Sequence, residues 1–194
     1  MSCINPYVLP SASLAPDARV FADRQDLMRS LPRGARIAEL GTLFGENADF
    51  ILRELKPEAL HLLDISFNLL RGGSCSLTPP DPRPGPDVLA NPVVTLHEGD
   101  GATTLDSFEA DSMDWVYVDG EHSYRSAYRD GKAAMRVAPV VIFNDYCNWS
   151  IIERKEYGVM EAANQLLAEN PEWEAFALGL QRDGYHDLAI RRQV

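Results

Sequence analysis

The stretch from Asp114 to Trp149 constrains the fold of this chain more than any other. It contains two short apolar runs, Trp115–Val118 and Val140–Phe143, separated by a segment with a helical pattern of apolar residues. Uninterrupted apolar runs on either side of a helix are typical of a β-α-β unit whose parallel strands are buried on both faces. The stretch therefore predicts a parallel sheet that is covered by helices.

Polar residues follow both of these predicted strands. Asp119 and His122 come after the first, and Asn144 and Asp145 come after the second. The carboxyl ends of parallel strands meet at one edge of a sheet, and ligands bind at that edge. We therefore expect these four side chains to lie together and to form the centre of the chemistry.

The rest of the chain repeats the alternation of strand and helix. The other predicted strands are Ala35–Leu40, Leu60–Asp64, Val93–His97 and a closing β-hairpin of Trp173–Leu180 and Tyr185–Arg191 around an Arg182-Asp183-Gly184 turn. Strands that alternate with helices build an α/β three-layer sandwich. The predicted sheet is mostly parallel and seven-stranded, and it ends in the antiparallel hairpin.

A single domain over residues 1–194 is expected, because this length suffices for one sizeable core. An N-terminal helical extension is predicted over about residues 1–33, since the apolar positions of Pro16–Leu31 share one helical face. The segment at about 71–92 is rich in Pro and Gly and has no periodicity. It predicts a long loop, which is either a functional lid or a tolerated surface insertion.

Charge and cysteine content narrow the function classes. The chain has 29 acidic and 18 basic residues and a net charge of −11, which argues against binding to a nucleic-acid backbone. Its 3 cysteines are far apart, as expected of reduced thiols. The first residues lack the basic flank and apolar run of a signal peptide, and no stretch has the length of a membrane span. We therefore expect a cytoplasmic protein.

A glycine-containing turn follows the first of the parallel strands. Gly41 and Gly45 lie between that strand and the next helix, where glycine permits a ligand to approach the backbone closely. The spacing departs from the dinucleotide fingerprint, and the charges of Glu39 and Glu46 would repel a pyrophosphate. A ligand with positive charge or with donor groups fits this turn better. An ordinary strand-helix turn is the alternative interpretation of the two glycines.

Acidic residues also end the next two strands. Asp64 can accept hydrogen bonds from two ribose hydroxyls, and Asp100 can accept one from an exocyclic amine. Together with the turn, they favour a nucleoside ligand without a pyrophosphate.

This ordered set of motifs resembles class I S-adenosylmethionine-dependent methyltransferases. The resemblance is carried by E-L-G-x-x-x-G at 39–45, the acid at 64, Gly-Asp at 99–100 and D-G-x-H-S-Y at 119–124. The most similar subgroup is the small metal-dependent O-methyltransferases, including the catechol and macrolide-sugar enzymes. The resemblance covers about Ala35 to Trp149 and implies a Rossmann-like fold with S-adenosylmethionine as the methyl donor.

The resemblance also implies a set of cofactor contacts. In that family an acid lies near the methionine part, the glycine turn passes close to the cofactor, and two further acids lie near the ribose and the adenine. In this order, the roles fall on Glu39, on Gly41 and Gly45, on Asp64 and on Asp100. The cationic sulfonium and ammonium groups of the cofactor agree with the acidic surroundings.

The same subgroup carries an Asp after strand four and an acid/amide pair after strand five. Asp119, Asn144 and Asp145 match these positions, and their oxygen atoms suit a hard divalent ion such as Mg²⁺. His122 stands where the catechol-type enzymes have a lysine base, so His122 and Asp119 are the catalytic candidates. The alternatives are a turn at Asp119, a cap at Asn144 and Asp145, and a purely structural His122.

The leading hypothesis is methyl transfer from S-adenosylmethionine to an oxygen of a small-molecule acceptor, assisted by a divalent metal. Three alternatives stay open: a metal-independent methyltransferase with His122 or Asp119 as base, a cofactor-binding domain without transfer activity, and a metal-dependent hydroxylase-like relative of the same fold. The expected partner is the small-molecule acceptor, with no nucleic acid and no membrane; a homodimer is one option.

Overall fold

Strands and helices alternate along the described part of the chain, residues 5–181 and 184–193 of a computed structural model. The strands are β1 (Leu14–Phe21), β2 (Arg36–Leu40), β3 (Ala59–Asp64), β4 (Val94–Glu98), β5 (Trp115–Val118), β6 (Val140–Phe143), β7 (Trp149–Ser150), β8 (Lys155–Glu156), β9 (Trp173–Leu180) and β10 (His186–Arg192). The α-helices are α1 (Arg24–Arg29), α2 (Glu46–Phe50), α3 (Gly85–Ala90), α4 (Gly101–Asp106), α5 (Tyr124–Val137) and α6 (Val159–Glu169); a 3-10 turn covers Ser11–Ser13, and a π-helical turn at Ile51–Leu55 continues α2. The predicted alternation is confirmed.

One large sheet carries the fold. Its strand order is β1-β9-β10-β6-β5-β2-β3-β4, and β7 pairs with β8 in a separate two-stranded sheet. Strand β10 runs antiparallel to both of its neighbours, whereas the other pairings in the large sheet are parallel. The α/β class and the mostly parallel, Rossmann-like sheet are confirmed. The sheet has eight strands instead of the predicted seven, because β1 joins its edge.

The predicted N-terminal helix is wrong over most of its length. Residues Leu14–Phe21 form β1, which pairs in parallel with β9, and only the short helix α1 follows it. Val20, which the helical pattern placed on the buried side, is 68% exposed. Pro16 is compatible with this strand because an edge strand needs hydrogen bonds on one side only. Pairing with a distant strand therefore overrode the local helical pattern.

Helices cover both faces of the large sheet. On one face α1, α2 and α3 contribute buried side chains, among them Leu27, Phe50 and Val88. On the other face α4, α5 and α6 do the same, for example with Leu105 and Leu166. The three-layer sandwich is confirmed, and its two cores hold the strand ends of β2, β3, β5 and β6 in fixed register.

The remaining segments agree with the sequence in part. The predicted loop at 71–92 is irregular up to Pro84, but helix α3 occupies 85–90 within it. The closing hairpin is confirmed by the antiparallel pairing of β9 with β10, while Arg182 and Asp183 of its predicted turn lie outside the described residues. Among the residues that the structure describes, no helix has both the length and the apolar character that a bilayer crossing requires.

Candidate active site

A cleft of about 1050 Å³ opens at the carboxyl ends of β2, β3, β5 and β6. Most of the predicted site residues line it: Glu39, Gly41, Asp64, Asp100, Asp119, His122, Asn144 and Asp145. Gly45 does not line the cleft; it is the N-cap of α2, with a φ of +88°. Backbone hydrogen bonds align the strand ends, since the N–H of Gly41 donates to Leu63 and that of Asp119 donates to Leu40. The fold therefore brings together the residues that the motifs singled out.

The cleft has two ends with different constructions. The residues Glu39, Gly41, Asp64 and Asp100 form what we call the glycine end. The residues Asp119, His122, Asn144 and Asp145 form what we call the histidine end.

Gly41 joins the two ends. Its φ is +83°, and a Cβ atom built on it would lie 1.8 Å from the carbonyl oxygen of Asp119. A side chain at this position would therefore collide with the backbone that follows β5. The glycine is required here because the turn touches the first residue of the histidine end.

Asp64 holds the glycine turn in place. Its Oδ2 accepts hydrogen bonds from the backbone N–H groups of Thr42, at 2.8 Å, and Leu43, at 3.4 Å. Its Oδ1 accepts from the N–H of Ser66 at 3.1 Å. The carboxylate thus fixes the turn and still faces the cleft, where each oxygen retains acceptor capacity.

Glu39 places a buried carboxyl group at the floor of the cleft. The residue is 1% exposed, and its Oε1 accepts a hydrogen bond from Asn47 Nδ2 at 2.9 Å. Its Oε2 is buried and has no hydrogen-bond partner among the described residues. Burial raises the pKa of Glu39 to about 8, although the bond from Asn47 opposes this. A buried acceptor without a partner fits a ligand group that donates hydrogen bonds or carries positive charge.

Asp100 serves first as a helix cap. Its Oδ1 accepts from the backbone N–H of Thr103 at 2.9 Å, at the start of α4, and Arg129 Nη2 lies 2.9 Å from the same oxygen. The hydrogen bonds from Thr103, followed by Arg129, lower the pKa of Asp100 below its usual value. Asp100 is thus the N-cap of α4, and it also lines the cleft.

At the histidine end, the imidazole of His122 lies beside two carboxylates. Its Nε2 is 3.4 Å from Asp119 Oδ1 and 3.8 Å from Asp145 Oδ2. The ring stacks on Tyr157 with a centroid distance of 4.5 Å and an interplanar angle of 8°. Burial by itself lowers the pKa of His122, but the neighbouring carboxylates of Asp119 and Asp145 raise it above the usual value. The two acids therefore favour the protonated imidazole.

Asp145 and Asn144 differ in the way they face the cleft. Asp145 has a φ of +50°, in the left-handed region that non-glycine residues rarely adopt, and such strain is common at functional sites. Burial first, and the charge of Asp119 next, raise the pKa of Asp145 to about 6. Asn144 is 3% exposed, and its Nδ2 donates to Tyr117 Oη at 3.1 Å and to Asp187 Oδ1 at 3.2 Å. The nitrogen of this amide is therefore directed into the buried contacts with Tyr117 and Asp187.

The predicted metal donors are thus only partly aligned. The carboxylates of Asp119 and Asp145 converge on one point, but the described residues contain no group of three or more His, Cys, Asp or Glu side chains that could hold a metal ion.

Sequence patterns missed two residues of the site. Arg24, the first residue of α1, lines the cleft, where Tyr117 and the negative charges of Asp187 and Asp119 raise the pKa of its guanidinium. No motif marked Arg24 in the sequence. Asp187 lies in β10 and is 1% exposed. Its position directly before the apolar run Leu188–Ile190 is a sequence feature from which a buried acid could have been predicted.

A sequence model of the methyltransferase domain family matches residues 38–146, which is more than half of the chain. The chain belongs to the methyltransferase domain family. The resemblance to class I S-adenosylmethionine-dependent methyltransferases is thereby confirmed. Among curated proteins, no sequence matches this methyltransferase significantly.

Solved structures of methyltransferases share the fold. An O-methyltransferase from Bacillus cereus in complex with SAH has a TM-score of 0.62 and 18% identity, and the match covers 95% of this chain and 84% of that one. The O-methyltransferase TomG from Streptomyces achromogenes, in complex with SAM, has a TM-score of 0.60 and 19% identity over 88% of this chain and 78% of that one. TrmK from M. capricolum, with S-adenosyl-homocysteine, has a TM-score of 0.59 and 12% identity over 88% and 67%.

Proposed function

We propose that this methyltransferase transfers the methyl group of S-adenosylmethionine to an oxygen atom of a small-molecule acceptor. The observation that carries the proposal is the contact of Gly41 with the backbone of Asp119. A cofactor lying along the glycine turn would present its methyl group directly to the histidine end. Holding the two reactants in this arrangement turns the methyl transfer into an effectively unimolecular step.

The glycine end fits S-adenosylmethionine. The unpartnered Oε2 of Glu39 would accept from the ammonium group, and Asp64 would accept from the ribose. Asp100 would lie beside the adenine, while Gly45 shapes the start of α2 from outside the cleft lining. When bound, the cofactor supplies a methyl group on a cationic sulfur. The neighbouring O-methyltransferase structures with SAH and SAM support the assignment of cofactor and acceptor class.

At the histidine end, His122 would remove the proton from the acceptor hydroxyl as the oxygen attacks the methyl group. Asp119 and Asp145 would orient the imidazole and stabilise its cationic form after the proton has moved. Because these acids raise the pKa of His122, the neutral base becomes available only as the pH rises through that raised value. Activity should therefore be lost on the acidic side.

A second version of the reaction uses a divalent ion. Asp119 and Asp145 would hold it, with the Asn144 amide as third donor, and these oxygen donors fit Mg²⁺ or Mn²⁺ in chemistry. When bound, such an ion supplies positive charge that lowers the pKa of an acceptor hydroxyl. Since His122 Nε2 already contacts both carboxylates, an ion and a protonated imidazole would compete for the same negative charge.

The test of the proposed function is transfer of an isotopic label. S-adenosylmethionine with a ¹³C-methyl group is incubated with the protein and a panel of phenols, catechols and sugar alcohols. The proposal expects formation of S-adenosylhomocysteine and a product methyl resonance at the shift of an O-methyl carbon. A product resonance at the N-methyl shift would refute the oxygen acceptor. Tight cofactor binding without turnover over the whole panel would favour a binding domain.

Titration of Mn²⁺ into chelator-treated protein, followed by electron spin resonance of the ion, distinguishes the metal-dependent reaction from the metal-independent one. One bound ion that is lost in Asp145→Ala would support the metal-dependent reaction, with Asp106→Ala on α4 as the control that retains binding. Activity that persists unchanged in excess chelator would leave His122 and alignment to carry the reaction.

A further inference from the structure

A buried carboxylate lies beneath the histidine end. Asp187 is 1% exposed, and its neighbours in β10, Leu188, Ala189 and Ile190, are buried and apolar. Taking a carboxylate out of water costs several kcal/mol even after the protein relaxes. An apolar residue would serve the core better. The presence of an acid at this position therefore points to a role outside core packing.

Asp187 accepts hydrogen bonds from three side chains, one of which, Asn144, belongs to the histidine end. Its Oδ2 accepts from Tyr117 Oη at 2.7 Å, and its Oδ1 accepts from Asn144 Nδ2 at 3.2 Å and from Gln181 Nε2. The hydroxyl of Tyr117 in turn accepts from Asn144 Nδ2 at 3.1 Å. Tyr117, Asp187 and Asn144 thus form a closed triangle of hydrogen bonds. The positive charge of Arg24 partly offsets the negative charge of Asp187.

This triangle decides how the amide of Asn144 faces. An amide nitrogen has two hydrogens, and here both have acceptors in Tyr117 and Asp187. Because the nitrogen is fixed on the side of the triangle, the oxygen must point the other way, toward the cleft that Asn144 and His122 both line.

We propose that Asp187 is a positioning residue, which acts through Asn144 to keep the amide oxygen facing the histidine end of the cleft, where the acceptor would bind. The role rests on the proposed function. Without Asp187, the amide could rotate and present its nitrogen to the cleft. A donor would then replace an acceptor beside the reacting hydroxyl, and the hydroxyl would lose its alignment.

The kinetic test uses Asp187→Asn, which keeps the size of the side chain but adds a donor to the triangle. The kcat should fall by about 10- to 100-fold, the scale for small misplacements of a reacting group, while KM for S-adenosylmethionine changes less than about twofold. In the double variant Asp187→Asn/Asn144→Ala, kcat should equal that of Asn144→Ala alone. Losses that multiply would show that Asp187 does not act through Asn144 and would overturn the proposal.

The matched control is Asn164→Ala. Asn164 is also a fully buried polar residue that bonds to a tyrosine, Tyr146, at 2.7 Å, but it is not part of the cleft lining. This variant should lose thermal stability and keep its kcat. A fall in kcat equal to that of Asp187→Asn would assign both effects to general destabilisation and contradict a positioning role.

A second readout does not need turnover. In the unmutated protein, both side-chain amide protons of Asn144 should be protected from exchange, and in Asp187→Ala they should exchange at least about tenfold faster, since a main acceptor is gone. The Asn164→Ala protein should retain the protection. Equal exchange with and without Asp187 would refute the triangle. An unmutated protein that shows protection but never transfers methyl would instead refute the proposed function alone.

Discussion

The two ends of the cleft are built from different kinds of contact. At the glycine end, two of the acids accept hydrogen bonds from backbone N–H groups: Asp64 from Thr42 and Ser66, and Asp100 from Thr103. At the histidine end, side chains bond to side chains from distant strands, as Tyr117 does to Asp187 across 70 positions of sequence. The first construction gives a stiff surface for binding a cofactor. The second gives a titratable cluster whose geometry depends on several strands at once.

This difference leads to separable effects of mutation. Changes at the histidine end should alter turnover and leave cofactor affinity intact, whereas changes at the glycine end should alter affinity. Gly41 lies between them and should affect both.

The largest effect is expected for His122→Ala. Removal of the base should lower kcat by roughly 10²- to 10⁴-fold and leave S-adenosylhomocysteine affinity within about twofold. The acidic limb of the pH–rate profile, which should lie above the ordinary imidazole pKa of 6.5, should disappear. Steady-state kinetics from pH 5 to 9 measure both. His97→Ala, on edge strand β4 and outside the cleft lining, is the control. If His122→Ala keeps both its kcat and the acidic limb of its pH–rate profile, His122 has a structural role only.

Gly41→Ala should damage both ends through the backbone. The added Cβ would lie 1.8 Å from the carbonyl oxygen of Asp119 at a φ of +83°, so we expect a loss of roughly 2–5 kcal/mol in unfolding free energy. Gly34→Ala is the matched control, because its φ is +70° but a Cβ there meets nothing within 4 Å. It should cost about 1–2 kcal/mol, the strain alone. Equal losses in urea unfolding would contradict the close approach of the turn to β5.

Asp64→Ala should weaken binding of S-adenosylhomocysteine by roughly 1.5–3 kcal/mol, because a charged acceptor for the ribose is lost and the turn is freed. Calorimetry measures the change. Asp49→Ala, on α2 and paired with Arg53, removes an acid of the same charge from outside the cleft and should leave affinity unchanged. Should both variants bind equally, net charge and not the position of Asp64 would govern affinity.

The smallest effect concerns proton release at Glu39. Burial raises the pKa of this carboxyl to about 8, so it is mostly protonated at neutral pH. Binding of a cationic group favours the carboxylate and releases a proton. Cofactor affinity should therefore rise with pH, by up to about tenfold per unit below the pKa. Glu39→Gln should bind more weakly and without this pH dependence, while His122→Ala should retain it. Calorimetry in buffers of different ionisation enthalpy counts the protons.

The contrast between local and long-range contacts also explains which parts of the fold and the site could be predicted from the sequence. The strands β5 and β6 and the helix α6 were predicted to the residue, because apolar runs and helical periodicity are local signals. The cluster of Asp119, His122, Asn144 and Asp145 followed from the rule that parallel strands end at one edge. The motifs of the glycine end could be recognised because they also lie at the ends of parallel strands.

What failed depended on pairing between distant segments. Strand β1 has the local pattern of a helix and becomes a strand only because β9 offers it an edge. Asp187 joins the site because β10 lies beside β6, a neighbourhood that no short motif encodes. Arg24 begins α1 and lines the cleft because α1 follows β1, whose place in the sheet the local pattern did not predict.

One measurement tests the division of the cleft most directly: calorimetric titration of S-adenosylhomocysteine into the unmutated protein, Asp64→Ala and His122→Ala, each followed by the ¹³C-methyl transfer assay. We predict one binding site in the unmutated protein, roughly 10- to 100-fold weaker binding in Asp64→Ala, and unchanged binding with strongly reduced transfer in His122→Ala. An unmutated protein that binds no S-adenosylhomocysteine, or a His122→Ala protein that loses binding together with transfer, would contradict the account.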